Sequence, residues 1–130
     1  MGEGIDTREI RVMHVEDHAG FRDLMKNLLD GQSDMEVVAQ AGSLHEARVQ
    51  AASSEVDVAV LDLSLPDGNG LDLIPELRRA NPRVGVLVLS ANLDPAGPER
   101  ASGAGADEIL DKLAPVEAVL NSVRNLATRD

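Results

Sequence analysis

Residues 56–70, VDVAVLDLSLPDGNG, carry the strongest indication of the fold in this sequence. The apolar run Val58–Leu61 is short and partly β-branched, which is typical of a strand buried on both faces of a parallel sheet. Asp62 follows directly, and residues 66–70 are all turn formers. A carboxylate at the carboxyl end of a central parallel strand lies at the crevice where open α/β sheets bind ligands. Asp62 is therefore either a simple strand cap or a functional carboxylate, and the rest of the chain decides between these interpretations.

The composition excludes several classes of protein. The 130 residues suffice for one hydrophobic core and are too few for two. The net charge of −11 argues against direct binding of this chain to nucleic acid, whose phosphates would repel it. The absence of Cys excludes a disulfide framework, a thiolate metal site and a cysteine nucleophile. Because the sequence has neither a signal peptide nor a long apolar run, we expect a cytoplasmic protein without a membrane segment.

Strands and helices are predicted to alternate along the chain. Apolar runs predict strands at 10–15, 35–41, 58–61, 84–89 and 108–110. Helical spacing and boundary residues predict helices at 18–30, 44–53, 71–80, 94–105 and 116–126. The predicted apolar faces of the first and fifth helices are Phe21, Leu24, Met25, Leu28 and Leu29, and Val116, Val119, Leu120, Val123 and Leu126. Ser43 is the predicted N-cap of the second helix, and Glu46 completes the spacing of a capping box.

This alternation predicts an α/β fold, an open five-stranded parallel sheet with helices on both faces. Precedent among such folds favours the flavodoxin-like strand order 2-1-3-4-5, which places the first and third strands side by side. We expect the folded domain to span residues 10–127, after a flexible arm at 1–9 and before a short stub at 128–130. The fourth helix is the weakest element, because Gly97, Pro98, Gly103 and Gly105 all oppose helix formation.

Polar residues follow four of the predicted strands at their carboxyl ends. They are Glu16 and Asp17, then Asp62, Ser90 and Lys112. Because parallel strands end at one common edge, we expect these side chains to gather there, where three carboxylates would repel one another. Mg²⁺ relieves such repulsion and prefers carboxylate, water and phosphate oxygens, and a lysine adds a mobile positive charge. The set therefore favours receipt of a phosphoryl group on a carboxylate, with Mg²⁺ offsetting the charge.

Four motifs, in this order, resemble those of the response-regulator receiver domains of two-component signalling. They are VEDH at 15–18, VLDLSLPDGNGLDL at 60–73, VLVLSA at 86–91 and GADEILDK at 105–112. The resemblance extends over roughly residues 10–126. It implies that Asp62 is the phosphoacceptor, which attacks the phosphorus of a phosphohistidine and becomes an acyl phosphate. It also implies that Glu16, Asp17, Asp62 and the backbone carbonyl of Ser64 hold Mg²⁺.

The resemblance further implies how the phosphoryl group is held and read out. Lys112 would pair with one phosphoryl oxygen and Ser90 would hydrogen-bond another, while the small Ala91 leaves the acceptor accessible. The donor would be a sensor histidine kinase or a phosphotransfer protein. Phosphorylation would change a protein-interaction face around the fourth helix, fifth strand and fifth helix, a face that could also form a homodimer. Such a domain catalyses its own phosphoryl uptake and hydrolysis and is not a dedicated enzyme.

Three features depart from the usual pattern of that family. Ile109 replaces the Tyr or Phe three residues before the lysine, so no aromatic ring can follow the Ser90 hydroxyl inward when the switch operates. Leu113 replaces the proline that usually follows the lysine through a cis bond, which opens the way to an ordinary trans bond. The segment 95–105 is rich in Gly and Pro, which predicts a low-stability fourth helix able to move or to order on binding.

Alternative interpretations remain open at this point. His14 and His18 flank the acidic pair, but we predict that His14 packs within its strand, that His18 begins the first helix and that His45 lies away from the site. A receiver fold that signals without phosphorylation is favoured by Ile109 and the weak fourth helix, and opposed by the retained acids and lysine. A small Mg²⁺-dependent aspartyl phosphohydrolase is opposed by Ser64, where such enzymes carry a second Asp.

The length of the chain bears on the output of such a switch. Only four residues follow Leu126, which is too few for a DNA-binding helix-turn-helix. We therefore expect either a single-domain receiver that acts through protein contacts or a piece excised from a longer regulator.

Overall fold

A computed structural model of the protein describes residues 9–91 and 97–128. Numbering only the strands of the main sheet, the strands are β1 (Ile10–Val15), β2 (Met35–Ala41), β3 (Val58–Leu61), β4 (Gly85–Ser90) and β5 (Glu108–Asp111). The helices are α1 (Ala19–Asp30), α2 (Leu44–Ser53), α3 (Ile74–Ala80), α4 (Gly97–Gly103) and α5 (Val116–Thr128). Residues 1–8 of the predicted arm, the last two residues of the predicted stub and the predicted start of the fourth helix at 94–96 lie outside the described residues.

The five strands form one parallel sheet in the order β2-β1-β3-β4-β5. This confirms the predicted fold and strand order. Val15, the last residue of β1, lies opposite Leu61, the last residue of β3. Because these two strands end in register, the residues that follow them, Glu16 and Asp62, emerge side by side at the same edge.

Side chains of β3 contribute to the core on both faces of the sheet. Ala59 and Leu61 belong to the aliphatic cluster that includes residues of α2 and α3. Val58 and Val60 belong to the opposite cluster, which includes residues of α1 and α5. All four side chains are completely buried, as expected for a central strand covered by helices on both sides.

The apolar faces of two helices are narrower than the sequence predicts. Met25 and Leu29 of α1 are buried, but Leu24 is 54% exposed because it lies beside the face that meets the sheet. Val116 is 42% exposed because it is the first residue of α5, one turn before Val119, the first buried position. The predicted inward positions of Leu24 and Val116 are therefore wrong.

The third and fourth helices also differ from their predicted ranges. A 3₁₀ turn at Gly70–Leu73 precedes α3, because the side chain of Asn69 accepts a hydrogen bond from the Leu71 amide and ends the preceding loop. Helix α4 ends at Gly103, two residues before Gly105, whose φ of +105° is unfavourable for residues with a side chain. Within the described part of the chain, no helix has both the length and the apolar character needed to cross a membrane.

Candidate acidic functional site

Three carboxylates meet at the carboxyl edge of the sheet. Glu16 and Asp17 follow β1, and Asp62 follows β3. One oxygen from each of the three carboxylates lies within 4.8 Å of the others. Glu16 and Asp62 are buried, whereas Asp17 is exposed to solvent. The structure thus brings together three oxygen donors, of which two are buried and one is accessible to a ligand from solvent.

A single lysine joins the two buried carboxylates. The Nζ atom of Lys112, one residue beyond β5, lies 2.7 Å from Oε1 of Glu16 and 3.1 Å from Oδ2 of Asp62. Burial acts to lower the pKa of Lys112, but the hydrogen bonds and charges of Glu16 and Asp62 outweigh it and raise the pKa above its ordinary value. The ammonium group therefore stays charged at neutral pH, within reach of any anion that joins Asp62.

The cluster suits a hard divalent cation. Three carboxylates outnumber the one ammonium, so the site retains an excess of negative charge. Every donor is a carboxylate oxygen, the ligand type that Mg²⁺ prefers, and the donors already lie close together. The described residues of this cluster include no histidine and no sulfur ligand. The donor set therefore fits Mg²⁺ better than it fits a softer metal.

Ser64 lies two residues beyond Asp62, and Ser90 pairs with Asp111, the residue before Lys112. The amide of Ser64 is 3.3 Å from Oδ1 of Asp62, and the Lys112 side chain faces the other oxygen of the same carboxylate. Ser90 is the buried last residue of β4, and its carbonyl accepts a hydrogen bond from the Lys112 amide. Strands β4 and β5 therefore place Ser90 and Lys112 beside each other.

Ile109 lies on the other side of β5 from the α1 and α5 cluster. Its neighbour Leu110 packs against that cluster, and successive side chains of a strand point to opposite faces. Ile109 is partly buried and pairs with Val88 of β4. Position 109 is thus occupied by an aliphatic side chain and lies in the part of the sheet next to the site.

A cleft of about 730 Å³ opens above the carboxylates. Besides Glu16, Asp17 and Lys112, its lining includes the apolar residues Phe21, Ala91 and Leu113. Leu113 is 92% exposed, and the described residues contain no cis peptide bond, so the bond between Lys112 and Leu113 is trans.

The histidines do not contribute ligands to the cluster. His14 is 1% exposed, and desolvation, followed by the charges of Lys112 and Arg22, lowers its pKa to about 4. His18 precedes α1 as its N-cap, and its Nδ1 accepts a hydrogen bond from the Phe21 amide. His45 lies in the first turn of α2. His14 is thus packed within its strand and His45 lies on α2, as predicted, while His18, predicted to begin the first helix, is the N-cap that precedes it.

Phe21 is a part of the site that sequence reasoning missed. The Nζ atom of Lys112 lies 5.0 Å from the centroid of its ring, within the range of a cation–π contact. The ring centroid is also 6.1 Å from that of His14. From the pattern of the sequence, Phe21 is recognisable only as one member of an apolar helix face. Two facts could have indicated its role: Phe21 is the one Phe, Tyr or Trp of the chain, and it follows Asp17 by about one helical turn.

Comparison with solved structures supports the same assignment of fold. The response regulator domain of Thermotoga maritima CheB superimposes with a TM-score of 0.85 and 27% identity, over 95% of this chain and 99% of that one. A response regulator from Burkholderia pseudomallei, solved with a phosphorylated aspartic acid, calcium ion and citrate, gives a TM-score of 0.82 and 28% identity. The match covers 92% of this chain and 69% of that one.

Sequence comparison gives the family directly. The transcriptional regulatory protein UhpA of Salmonella typhimurium is 34% identical over 119 residues, which are 92% of this chain and 59% of that protein. The chain spans 38 to 59% of the length of the first curated relatives it matches. The family model for the response regulator receiver domain matches residues 12–124. The chain therefore belongs to the receiver domain family of two-component response regulators.

Proposed function

We propose that this domain is a phosphorylation-controlled switch whose phosphoacceptor is Asp62. The observation that carries the proposal is the position of Lys112, whose ammonium lies within 3.1 Å of Asp62 and 2.7 Å of Glu16. A structural cap on β3 would need neither a buried partner acid nor a charged lysine from a strand two positions away in the sheet. Family membership makes phosphoacceptor signalling the general expectation, and this geometry supports Asp62 as the acceptor residue.

The proposed reaction transfers a phosphoryl group to the Asp62 carboxylate. A carboxylate oxygen attacks the phosphorus of a phosphohistidine presented by a sensor histidine kinase or a phosphotransfer protein. A P–O bond forms, the P–N bond breaks, and the departing imidazole nitrogen takes a proton from solvent. The Lys112 ammonium, already beside Oδ2, then pairs with the new phosphoryl charge, and the Ser90 hydroxyl donates to a second phosphoryl oxygen.

The proposed metal ligands are Glu16, Asp17, Asp62 and the backbone carbonyl of Ser64. A bound Mg²⁺ supplies positive charge that offsets both the carboxylates and the phosphoryl oxygens. The Burkholderia pseudomallei relative was solved with a phosphorylated aspartic acid and a calcium ion, which supports the use of a divalent cation by a phosphorylated domain of this fold. Asp17 would be the proposed ligand most accessible from solvent.

The proposed output is a change in the surface formed by α4, β5 and α5, which would bind a partner protein or a second copy of the domain. Ile109 stands on β5 in place of an aromatic switch residue. An aliphatic side chain has no ring to rotate, so the change would be carried by movement of Ser90 and of the short helix α4. We therefore expect a smaller displacement of this surface than an aromatic switch residue would produce.

The test of the acceptor is the intact mass of the full chain after incubation with Mg²⁺ and a small phosphodonor such as acetyl phosphate. We expect the wild type to gain one phosphoryl group and Asp62→Asn to gain none. Chelation of Mg²⁺ before addition of the donor should also abolish the gain. Equal phosphorylation of the wild type and Asp62→Asn would refute the assignment.

A second candidate is a receiver fold that signals without phosphorylation. The replacement at Ile109 and the seven-residue helix α4 favour it. Backbone amide spectra of the chain with and without a stable acyl-phosphate mimic separate the two. Shifts that reach α4 and α5 support the switch, whereas shifts confined to the acidic site support the phosphorylation-independent module.

A further inference from the structure

The N-terminus of α2 is capped from within its own loop at only one free amide. The first N–H groups of a helix have no acceptor inside the helix. The Ser43 hydroxyl accepts from the Glu46 amide at 3.1 Å, whereas the Ala47 amide makes the first hydrogen bond of the helix itself, to the Ser43 carbonyl. The Glu46 carboxylate accepts from the amide of Gly42, and not from that of Ser43 as a capping box requires. The predicted capping box is therefore only half formed.

The free amides of Leu44 and His45 are capped by a residue from a different part of the chain. Oδ1 of Asp67 accepts from the Leu44 amide at 2.7 Å, and Oδ2 accepts from the His45 amide at 3.0 Å. Hydrogen bonds from Leu44 and then His45 are the main reasons that the pKa of Asp67 is lowered. One carboxylate thus accepts from the first two amides of α2, and it stays ionised at neutral pH.

Asp67 lies at the turn of the acceptor hairpin, the short antiparallel pair Ser64–Leu65 and Gly68–Asn69 that follows Asp62. The next residue, Gly68, has φ +152°, and a Cβ atom there would lie 2.6 Å from Cδ1 of Leu44. The tip of the hairpin is therefore in direct contact with α2. A side chain at residue 68 would push the tip away.

The base of the same hairpin packs on the phosphoacceptor. The Gly70 amide donates to the Leu63 carbonyl at 2.9 Å, and a Cβ atom at Gly70 would lie 2.0 Å from the carbonyl oxygen of Asp62. The Ser64 amide points to the Asp62 carboxylate itself. The hairpin is thus held at both ends, by Asp62 at its base and by α2 at its tip.

We propose that Asp67 is a positioning residue that fastens the acceptor hairpin to α2 and thereby fixes the Ser64 carbonyl for Mg²⁺ and the Asp62 carboxylate for phosphorylation. This inference rests on the proposed function. Asp67 itself touches neither the metal cluster nor the reacting oxygen, so it acts through the hairpin. Residues that orient metal ligands are expected to matter for affinity even when they lie outside the coordination sphere.

The experiment compares Asp67→Ala with Ser43→Ala in the full chain. Both substitutions remove a side chain that caps α2, but only the first releases the hairpin. Calorimetric titration with Mg²⁺ in the absence of phosphodonor should give an affinity roughly tenfold weaker for Asp67→Ala, the lower end of the range for residues that support metal ligands. Ser43→Ala should bind Mg²⁺ as the wild type does. Asp67→Asn, which keeps one acceptor oxygen, should fall between the wild type and Asp67→Ala.

Amide hydrogen exchange gives a second readout that needs no metal. The amides of Ser64 and Gly70 should exchange faster in Asp67→Ala than in the wild type, and should be unchanged in Ser43→Ala. Equal Mg²⁺ affinity and equal exchange in the two alanine variants would overturn the proposal. If the wild type itself bound no Mg²⁺, the proposed metal site would fail and with it the role of Asp67 toward the metal. Unchanged exchange at Ser64 and Gly70 in Asp67→Ala would then also exclude the fastening.

Discussion

At the scale of single residues, the site depends on a balance between two buried carboxylates and one ammonium. Lys112 retains 17% exposure of its side chain, whereas Glu16 retains 1%. Removal of one partner from a buried pair leaves the other charge uncompensated, which costs more than the pair contributes. Lys112 therefore stabilises the domain before any phosphoryl group arrives, and its two roles are separable by experiment.

Lys112→Met should lower the free energy of unfolding at pH 7 by about 3 kcal/mol, as expected for a broken buried pair with partial solvent access. Urea denaturation followed by circular dichroism measures this change. Lys26→Met is the matched control, because the pair of Lys26 with Asp30 lies on the surface of α1 and contributes about 0.5 kcal/mol or less. Similar losses in the two variants would show that Glu16 and Asp62 do not need the lysine.

The burial of His14 predicts that the free energy of unfolding depends on pH. Its pKa is about 4 in the folded protein and 6.5 in the unfolded chain, so the unfolded state binds the proton first as the pH falls. The contribution of His14 to the free energy of unfolding is therefore fully present above pH 6.5 and is lost as the pH falls towards 4. Between pH 7.5 and 5.0 the loss from this group is about 2 kcal/mol.

Urea denaturation of the wild type and His14→Leu at these two pH values isolates the contribution of His14. Other titrating groups are shared by both proteins, so only the difference between them counts. We expect the wild type to lose about 2 kcal/mol more than His14→Leu on acidification. Parallel losses would mean that His14 is protonated inside the fold.

At the scale of elements, the short helix α4 is the helix whose residues least favour helix formation. Gly103 lies in its last turn, and a Cβ atom there would contact nothing within 4 Å. Gly103→Ala should therefore raise the free energy of unfolding by about 0.5 to 1 kcal/mol, through better helix propensity and a less flexible unfolded chain. Denaturant midpoints at constant m-value measure this.

Gly105→Ala is the matched control for this substitution. Gly105 has φ +105° and lies beside Ile74, where a Cβ atom would be 3.3 Å from Cγ2. The same chemical change should therefore lower stability, by about 1 kcal/mol or more. Stabilisation by both substitutions would contradict the described backbone of this segment.

Element by element, the sequence predicts most where the pattern is local. The strands are short segments rich in apolar residues, so β1 and β2 match their predicted ranges and β4 and β5 are shifted or extended by one residue. The gathering of Glu16, Asp62 and Lys112 follows from strand ends in a parallel sheet. The contact of Asp67 with α2 and that of Phe21 with Lys112 do not follow, because each joins residues far apart in sequence through the exact path of a loop.

At the scale of the whole molecule, the proposed Mg²⁺ site would couple folding to metal binding. Repulsion among the carboxylates opposes the folded state, and a cation that binds only this state stabilises it. Mg²⁺ at a hundredfold excess over its dissociation constant should raise the free energy of unfolding by about 2.7 kcal/mol. Urea denaturation with MgCl₂, against NaCl at equal ionic strength, measures the increase.

Asp17→Asn is the control for the metal response. It removes one ligand and one repelling charge, so the variant should be more stable than the wild type without Mg²⁺ and should gain little when Mg²⁺ is added. An equal gain in both proteins would place the stabilising cation elsewhere on this acidic chain.

The most direct test of the central claim is the chemical location of the phosphoryl group. The full chain is phosphorylated with acetyl phosphate and Mg²⁺ and then treated with borohydride, which reduces an aspartyl phosphate to homoserine. Peptide mass spectrometry then identifies the modified residue. We expect homoserine at residue 62 and no modification when Mg²⁺ is chelated. Modification at Asp17, Glu16 or any other carboxylate, with residue 62 unchanged, would contradict it.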